Sequence, residues 1–313
     1  MHEITHILSF IDYKWIIAAT VVCILKMWVT VARWNCFIVS AKQLSSTNSF
    51  HFYAIGTMIN MTLPFRMGDL VRSNLIAEAL KIPNPKALGT IATEHILDFI
   101  ALGFLLVGCL IFYSYHWPAR VIPIMSVFFT IITTFFIGCI LFKKNKHIQQ
   151  QIKNFINNIL PKRFLFIPNM ITNFCGGIFQ FGNLLNTLKI VGMTAGVWFA
   201  QGIWIYTLLY ALGIVDLYHL GTEAVYVLIV MTGVATMIPA SPGYIGTFHL
   251  MIVLGLTQMG VPKAMALSCA ILAHAHAIFT AVLIGCYSLW KGKIKLSLNF
   301  YSEQTPTVVQ EAV

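Results

Sequence analysis

Apolar runs about as long as a bilayer is thick follow one another along most of this 313-residue chain, and they leave few folds open. A helix needs about 20 predominantly apolar residues to cross the hydrocarbon core. Runs of roughly that length lie at about 15–39, 87–113, 120–142, 190–212 and 262–290. Hydrophobic residues make up 58% of the chain and charged ones 10%, against about 45–50% and about 25% in soluble domains. No segment remains from which a separate soluble catalytic domain could be built. The predicted fold class is all-α: a polytopic integral membrane protein of about 6 to 8 membrane helices. One domain covers 1–295, and a short, disordered cytoplasmic tail covers 296–313.

The net charge of +10 raises the question of nucleic acid. The basic residues, however, cluster in loops and beside the ends of apolar runs, where positive loops face anionic lipid. No nucleic-acid partner is expected. The seven cysteines form no CxxC pair and mostly lie inside apolar runs, so they read as small buried hydrophobes rather than disulfides or metal ligands. No cofactor and no metal site are predicted. The N-terminal residues lack a basic region before the first apolar run, which predicts a retained first span. In that span Lys26 and Arg33 stand seven apart on one helical face, and Arg33 is expected to snorkel to an interface.

The most informative interruption is NMTLPFRMGDLVRS, Asn60 to Ser73. Pro64 removes a donor and clashes with the preceding turn, and Gly68 loosens the backbone beyond it, so the helix should stop, turn and restart. The apolar stretch before it, Phe50 to Leu63, is below crossing length and reads as re-entrant. Arg66, Asp69 and Arg72 recur every third residue, which predicts one polar face on the restarted helix. Asp69 to Leu80 then reads as amphipathic, with Leu70, Val71, Leu75, Ile76 and Leu80 on the apolar side. Downstream, Glu94 and Asp98 form an i, i+4 pair of carboxylates that would repel in a dry site. Arg66 or Arg72 is the expected counter-charge.

A second interruption, PASPGYIGTFH at Pro239 to His249, matches the first. Pro242 precedes Gly246 by four residues, as Pro64 precedes Gly68. Pro242 follows Pro64 by 178 residues, and Lys263, opening a long span, follows Lys86 by 177. Four Lys/Arg between Arg66 and Lys86 place the start of the first matched span inside. Lys291, Lys293 and Lys295 place the end of the last span inside and the C-terminus in the cytoplasm. The two broken elements would therefore run in opposite directions, an inverted repeat of the kind that marks a transporter site. Half-helix N-termini at such breaks can hold an anionic group such as a lipid phosphate. The polar region 143–189 carries seven Lys/Arg and no acid. It reads as a basic cytoplasmic loop, partly amphipathic, lying on the membrane surface. The loop with Asp216, His219 and Glu223 reads as the outer side.

At these residues the sequence resembles a known family, the transmembrane region of lysylphosphatidylglycerol synthases and their stand-alone, flippase-like relatives. The matching positions are Asn60, Leu63, Pro64, Arg66, Gly68, Asp69 and Arg72, then Glu94 and Asp98, then Pro239, Pro242, Gly243 and Gly246. The resemblance extends over nearly the whole chain. It implies a membrane part that moves a lipid between leaflets, with stand-alone members associated with glycolipids, polyprenyl-linked lipids or hopanoids. Three positions depart from the family: Asp69 where glutamate is more usual, His95 where arginine is common, and His249 where glutamate is frequent. The lost carboxylate at 249 makes the second half less acidic, so a lysyl-lipid substrate is not carried over; the aminoacyltransferase domain of the synthases is also absent, so the chain is not expected to make the lipid.

The leading expectation is a lipid transporter or flippase in the cell membrane of a prokaryote, not an enzyme, moving an anionic phospholipid, glycolipid or polyprenyl-linked lipid. Its expected substrate contacts are Asn60, Pro64, Arg66, Gly68, Asp69, Arg72, Glu94, Asp98, Ser241, Pro242, Gly243, Gly246, His249 and His274. Arg66 and Arg72 would grip phosphate, arginine being a bidentate fork. Glu94 and Asp98 would hold those arginines or exchange a proton. Two alternatives stand beside it. One is a partner that anchors a lipid-modifying or glycosyltransferase enzyme through 143–189. The other is an intramembrane enzyme using Glu94, His95, Asp98, His249, His274 and His276, although a two-residue histidine spacing does not suit a helical zinc site.

Overall fold

The computed structural model describes residues 11–37, 44–112, 144–159, 166–178, 182–237 and 242–292, with positions 127, 130, 133, 134, 137, 138, 141, 142, 180 and 294. Eleven α-helices occur among them. The first four are α1 (Tyr13–Asn35), α2 (Ser46–Thr62), α3 (Met67–Leu80) and α4 (Asn84–Phe112). Then come α5 (Lys146–Ile159), α6 (Ile167–Gly177), α7 (Leu184–Ala211) and the single turn α8 (Ile214–Leu217). The last are α9 (Thr222–Met237), α10 (Thr247–Gln258) and α11 (Lys263–Gly292), with a 3-10 turn at Pro242–Tyr244 before α10. The described residues contain no strand.

Short polar side chains start several of these helices by satisfying free N–H groups. Asp12 accepts from Lys14 N at 3.0 Å, Ser45 from Asn48 N at 3.2 Å, and Asn183 from Asn186 N at 2.9 Å. The helix–break–helix expected at Pro64 is present: α2 ends at Thr62 and α3 begins at Met67. The amphipathic piece expected in the basic region is α5. Most of the span expected at 120–142 and the tail 296–313 lie outside the described residues.

The chain is a membrane protein. Four helices, α1, α4, α7 and α11, are long and apolar enough to cross, and α9 is a shorter apolar helix. Their exposed faces carry large apolar side chains, as Ile17, Val21, Leu25 and Trp28 do on α1, whereas Lys26, Thr30 and Arg33 of the same helix turn inward to a cavity. Polarity is thus inside out, as it must be where hydrocarbon is the solvent.

Packing follows two cores. One gathers Trp34, Phe52, Ile55, Leu75, Ile76 and Ile91 from α1 to α4. The other gathers Trp204, Leu208, Leu228, Phe248, Ile252 and Ala270 from α7 to α11. They are stitched together crosswise: α1 lies along α7, and α2 lies along α11. The helix lengths also recur. In α1 to α4 they are 23, 17, 14 and 29 residues; in α7, α9, α10 and α11 they are 28, 16, 12 and 30.

Candidate functional site

A cavity of about 560 Å³ lies between the two cores, lined from α1, α2, α4, α7, α9, α10 and α11. Its size is that of a small-ligand site. Its lining combines polar side chains, Lys26, Arg33, Arg66, Glu94, His95, Asp98 and Gln201, with the apolar Trp198, Trp204, Phe248 and Met237. Met61 and Arg66 bring the first helix break to its edge, and Met237 and Phe248 come from the helices that flank the second.

The polar lining is organised as two closed ion clusters. In the first, Arg72 Nη2 donates to Glu94 Oε2 at 2.9 Å, and Glu94 Oε1 lies 4.0 Å from Arg33 Nη2. Arg33 then donates to both oxygens of Asp98, at 2.6 and 3.0 Å, and to Thr194 Oγ1 at 3.3 Å. Two cations and two carboxylates alternate, so the i, i+4 acids of α4 never face each other unscreened. Arg72 is also sandwiched by rings, its guanidinium 4.9 Å from the centroids of Trp34 and Tyr53. Such stacking suits a planar, weakly hydrated cation.

The second cluster clamps the break. Leu63 caps α2, Phe65 and Arg66 adopt left-handed φ of 57° and 54°, and α3 then starts. Non-glycine residues hold this conformation only where the surroundings dictate it. Here Asp69 supplies the hold, taking Asn60 Nδ2 on Oδ1 at 3.0 Å and His95 Nε2 on Oδ2 at 2.9 Å. Arg66 Nε lies 3.3 Å from Asp69 Oδ2, an ion-pair approach without hydrogen-bond alignment. Arg66 Nη2 reaches His95 Nδ1 at 3.4 Å. Arginine only donates, so in that contact Nδ1 is the acceptor, and Nε2 is the ring nitrogen turned to Asp69.

Several expectations are corrected by this geometry. Arg33 does not snorkel; its side chain is 0% exposed and is the counter-charge of Asp98. Arg72 supplies Glu94 but lies outside the cavity, 3% exposed, so it holds the lining rather than meeting a ligand. Arg66, Asp69 and Arg72 all turn to α4, Arg66 and Asp69 to His95 and Arg72 to Glu94, so the polar face they share is spent on protein groups. Asn60 and Asp69 bind each other across the break and do not line the cavity. Gly68 is not unwound but sits in the first turn of α3, and a Cβ there would collide with the Gly56 carbonyl oxygen and the Asn60 side chain. Its role is the close crossing of α2 and α3. Gly68→Ala is expected to lower stability by about 1–3 kcal/mol, the usual cost of overpacking, measured by thermal unfolding in detergent.

The second break is held differently. Gly243 takes φ 58° and Gly246 φ 91°. His274 Nε2 donates to the Gly243 carbonyl oxygen at 2.6 Å, and Gly246 N donates to His249 Nδ1 at 3.5 Å. The His249 and His274 rings meet edge-on at 4.6 Å. These two histidines therefore shape the break instead of lining the cavity. Pro242 is exposed at the start of the turn, and Ser241 and Pro239 lie outside the described residues. His276 accepts from Trp204 Nε1 at 3.1 Å and meets Thr20 Oγ1 at 3.0 Å, tying α11 to α7 and α1. Among the described residues no group of three metal-ligating side chains comes together.

Of the expected contacts, Arg66, Glu94 and Asp98 line the cavity, and Pro64 and Gly243 set the breaks beside it. Lys26, Arg33, Gln201, Trp198 and Trp204 were missed as site residues. The signal for them was present: Lys26 and Arg33 share a face of an apolar span, and Gln201 lies midway between Trp198 and Trp204, one turn from each. Comparison with curated proteins and with solved structures finds no match. Comparison with protein families finds one: the model of the lysylphosphatidylglycerol synthase TM region matches residues 1–285. The cavity, its paired charges and the breaks at its edge thus belong to a member of the lysylphosphatidylglycerol synthase TM region family.

Proposed function

We propose that the protein carries a lipid between membrane leaflets, with the headgroup passing through the cavity between the two cores, and that it acts as a carrier rather than an enzyme. The observation that carries this reading is the cavity itself, lined by both charged and aromatic side chains within helices long and apolar enough to cross a bilayer. A headgroup would take the polar side chains and the glycerol end of the lipid the aromatic ones. The recurrent order of helix lengths supports an inverted repeat of α1 to α4 and of α7, α9, α10 and α11. On this reading α2–α3 and α9–α10 are the re-entrant pair, and rocking of one repeat against the other would open the cavity to alternate sides. The basic segments support a C-terminus on the cytoplasmic side of a cell membrane.

Leaflet exchange of fluorescent phosphatidylglycerol in proteoliposomes tests the reading, with dithionite bleaching the outer-leaflet label. The full-length protein should reduce the protected fraction, with or without an imposed pH gradient according to its coupling. Arg66→Gln should abolish the reduction while the unfolding temperature stays within a few degrees of the parent, because Arg66 is partly exposed and only about 1 kcal/mol is at stake in such a pair. Protected fluorescence equal to that of empty liposomes under every gradient, for phospholipid, glycolipid and polyprenyl phosphate probes alike, would sink the carrier reading.

A further inference from the structure

The ion clusters leave one cation out. Around the cavity, the four cations Lys26, Arg33, Arg66 and Arg72 face the three carboxylates Asp69, Glu94 and Asp98, and each carboxylate is already engaged by an arginine. Lys26 has no carboxylate within 4 Å among the described residues; its Nζ donates to Gln201 Oε1 at 2.7 Å and lies 5.9 Å from the Trp204 ring centroid. It stands near the middle of α1, a helix long enough to cross. A lone ammonium at that depth is costly and is retained where it has a job.

Its neighbours share one chemistry. Lys26 Nζ has two N–H groups left after Gln201, and Gln201, having spent its oxygen on Lys26, offers its amide N–H groups. One turn away, Trp198 Nε1 is buried with no hydrogen-bond partner. All three residues line the cavity, and each has at least one N–H donor free for an anion. At the first break, Asp69 already occupies the N-terminal turn of α3 and pairs with Arg66.

We propose that Lys26, Gln201 and Trp198 form the anion-binding end of the cavity and that it takes the singly charged phosphodiester of a phospholipid. A single negative charge balances the one cation, Lys26, that has no carboxylate partner among the described residues. Trp204 and Phe248, on the same cavity, provide the apolar surface that the glycerol and first acyl carbons of a lipid need and a free phosphate does not. The assignment rests on the carrier reading above and names its substrate class.

The test is equilibrium binding to the full-length protein in detergent, using short-chain phosphatidylglycerol, the matching diacylglycerol without phosphate, and inorganic phosphate. Phosphatidylglycerol should bind wild type. Its Kd should rise about tenfold or more in Lys26→Met, since a charge-assisted contact is lost, and stay within about threefold in Lys26→Arg, which keeps the charge. Trp198→Phe, which deletes only the N–H, should give a smaller rise of about threefold to tenfold. Diacylglycerol should bind wild type and Lys26→Met alike, which also shows that the variant is folded. If Lys26→Met keeps its affinity for phosphatidylglycerol while Arg66→Gln loses it, the anion end lies at the break and this proposal fails with the carrier reading intact. If inorganic phosphate binds as tightly as the lipid in a Lys26-dependent way, the site is one for free phosphate and the lipid assignment is overturned. If wild type binds neither lipid, both the proposal and the cavity reading fall.

Discussion

Arg33→Met should cost the fold about 3–5 kcal/mol, because it strands a buried charge pair rather than trimming a contact. Arg33 is the middle of the alternating cluster, with Asp98 at 2.6 Å on one side and Glu94 at 4.0 Å on the other. Removing it leaves two carboxylates on adjacent turns of α4 with only Arg72 between them. The expected readout is a large fall in the unfolding temperature of the purified protein. The double variant Arg33→Met with Asp98→Leu should recover most of the loss, since a buried pair replaced by apolar groups of similar volume is often close to neutral. A single variant as stable as the parent would mean that the cluster contributes nothing to holding α1 on α4. Equal instability of the double variant would mean that Arg33 acts through packing and not through its charge.

Gly243→Ala should be the second costly change. Its φ of 58° is a left-handed conformation that costs an alanine about 1–2 kcal/mol. A Cβ would also stand 2.6 Å from the Met61 carbonyl oxygen, on the last turn of α2. Overpacking against backbone adds about 1–3 kcal/mol, for a total of about 2–5 kcal/mol. Gly246→Ala is the control, because its φ is 91° but no atom lies within 4 Å of the new Cβ. At φ 91° and ψ −59° it lies in the rare, strained γ-turn region, so it carries strain without a contact, and it should leave leaflet exchange closer to the parent. The contrast isolates the contact between the two breaks from the strain within one. Leaflet exchange lost as completely in Gly246→Ala as in Gly243→Ala would show that the approach to Met61 is unimportant.

Chain-local physics carried most of the fold into view. Long apolar runs gave α1, α4, α7 and α11 to within a few residues at several ends, because crossing length and hydropathy are properties of consecutive residues. Pro64 marked the end of α2 for the same reason: a missing N–H and a ring clash act on the adjacent turn. Glu94 and Asp98 were recognisable as a pair needing a cation, since four residues is one helical turn.

The identity of that cation was not recognisable. Arg33 is 65 residues from Asp98, and Arg72, closer along the chain, takes Glu94 instead. Gly68 was assigned to loosened backbone because glycine after proline usually means that. The actual requirement is the passage of the Gly56 backbone across it, which no local pattern encodes. His249 and His274 were placed as ligand contacts, yet each spends a ring nitrogen on the break around Gly243 and Gly246.

By itself the sequence determined the helical class, the membrane environment, the two breaks and the family, each of which rests on residues near one another or on the order of motifs along the chain. Tertiary structure alone decided which charges are spent and which is free. Pairing a buried ion depends on distances between helices, where a few ångströms separate a closed cluster from an unmatched charge. Lys26 and Gln201, 175 residues apart, acquire their meaning only when α1 lies along α7.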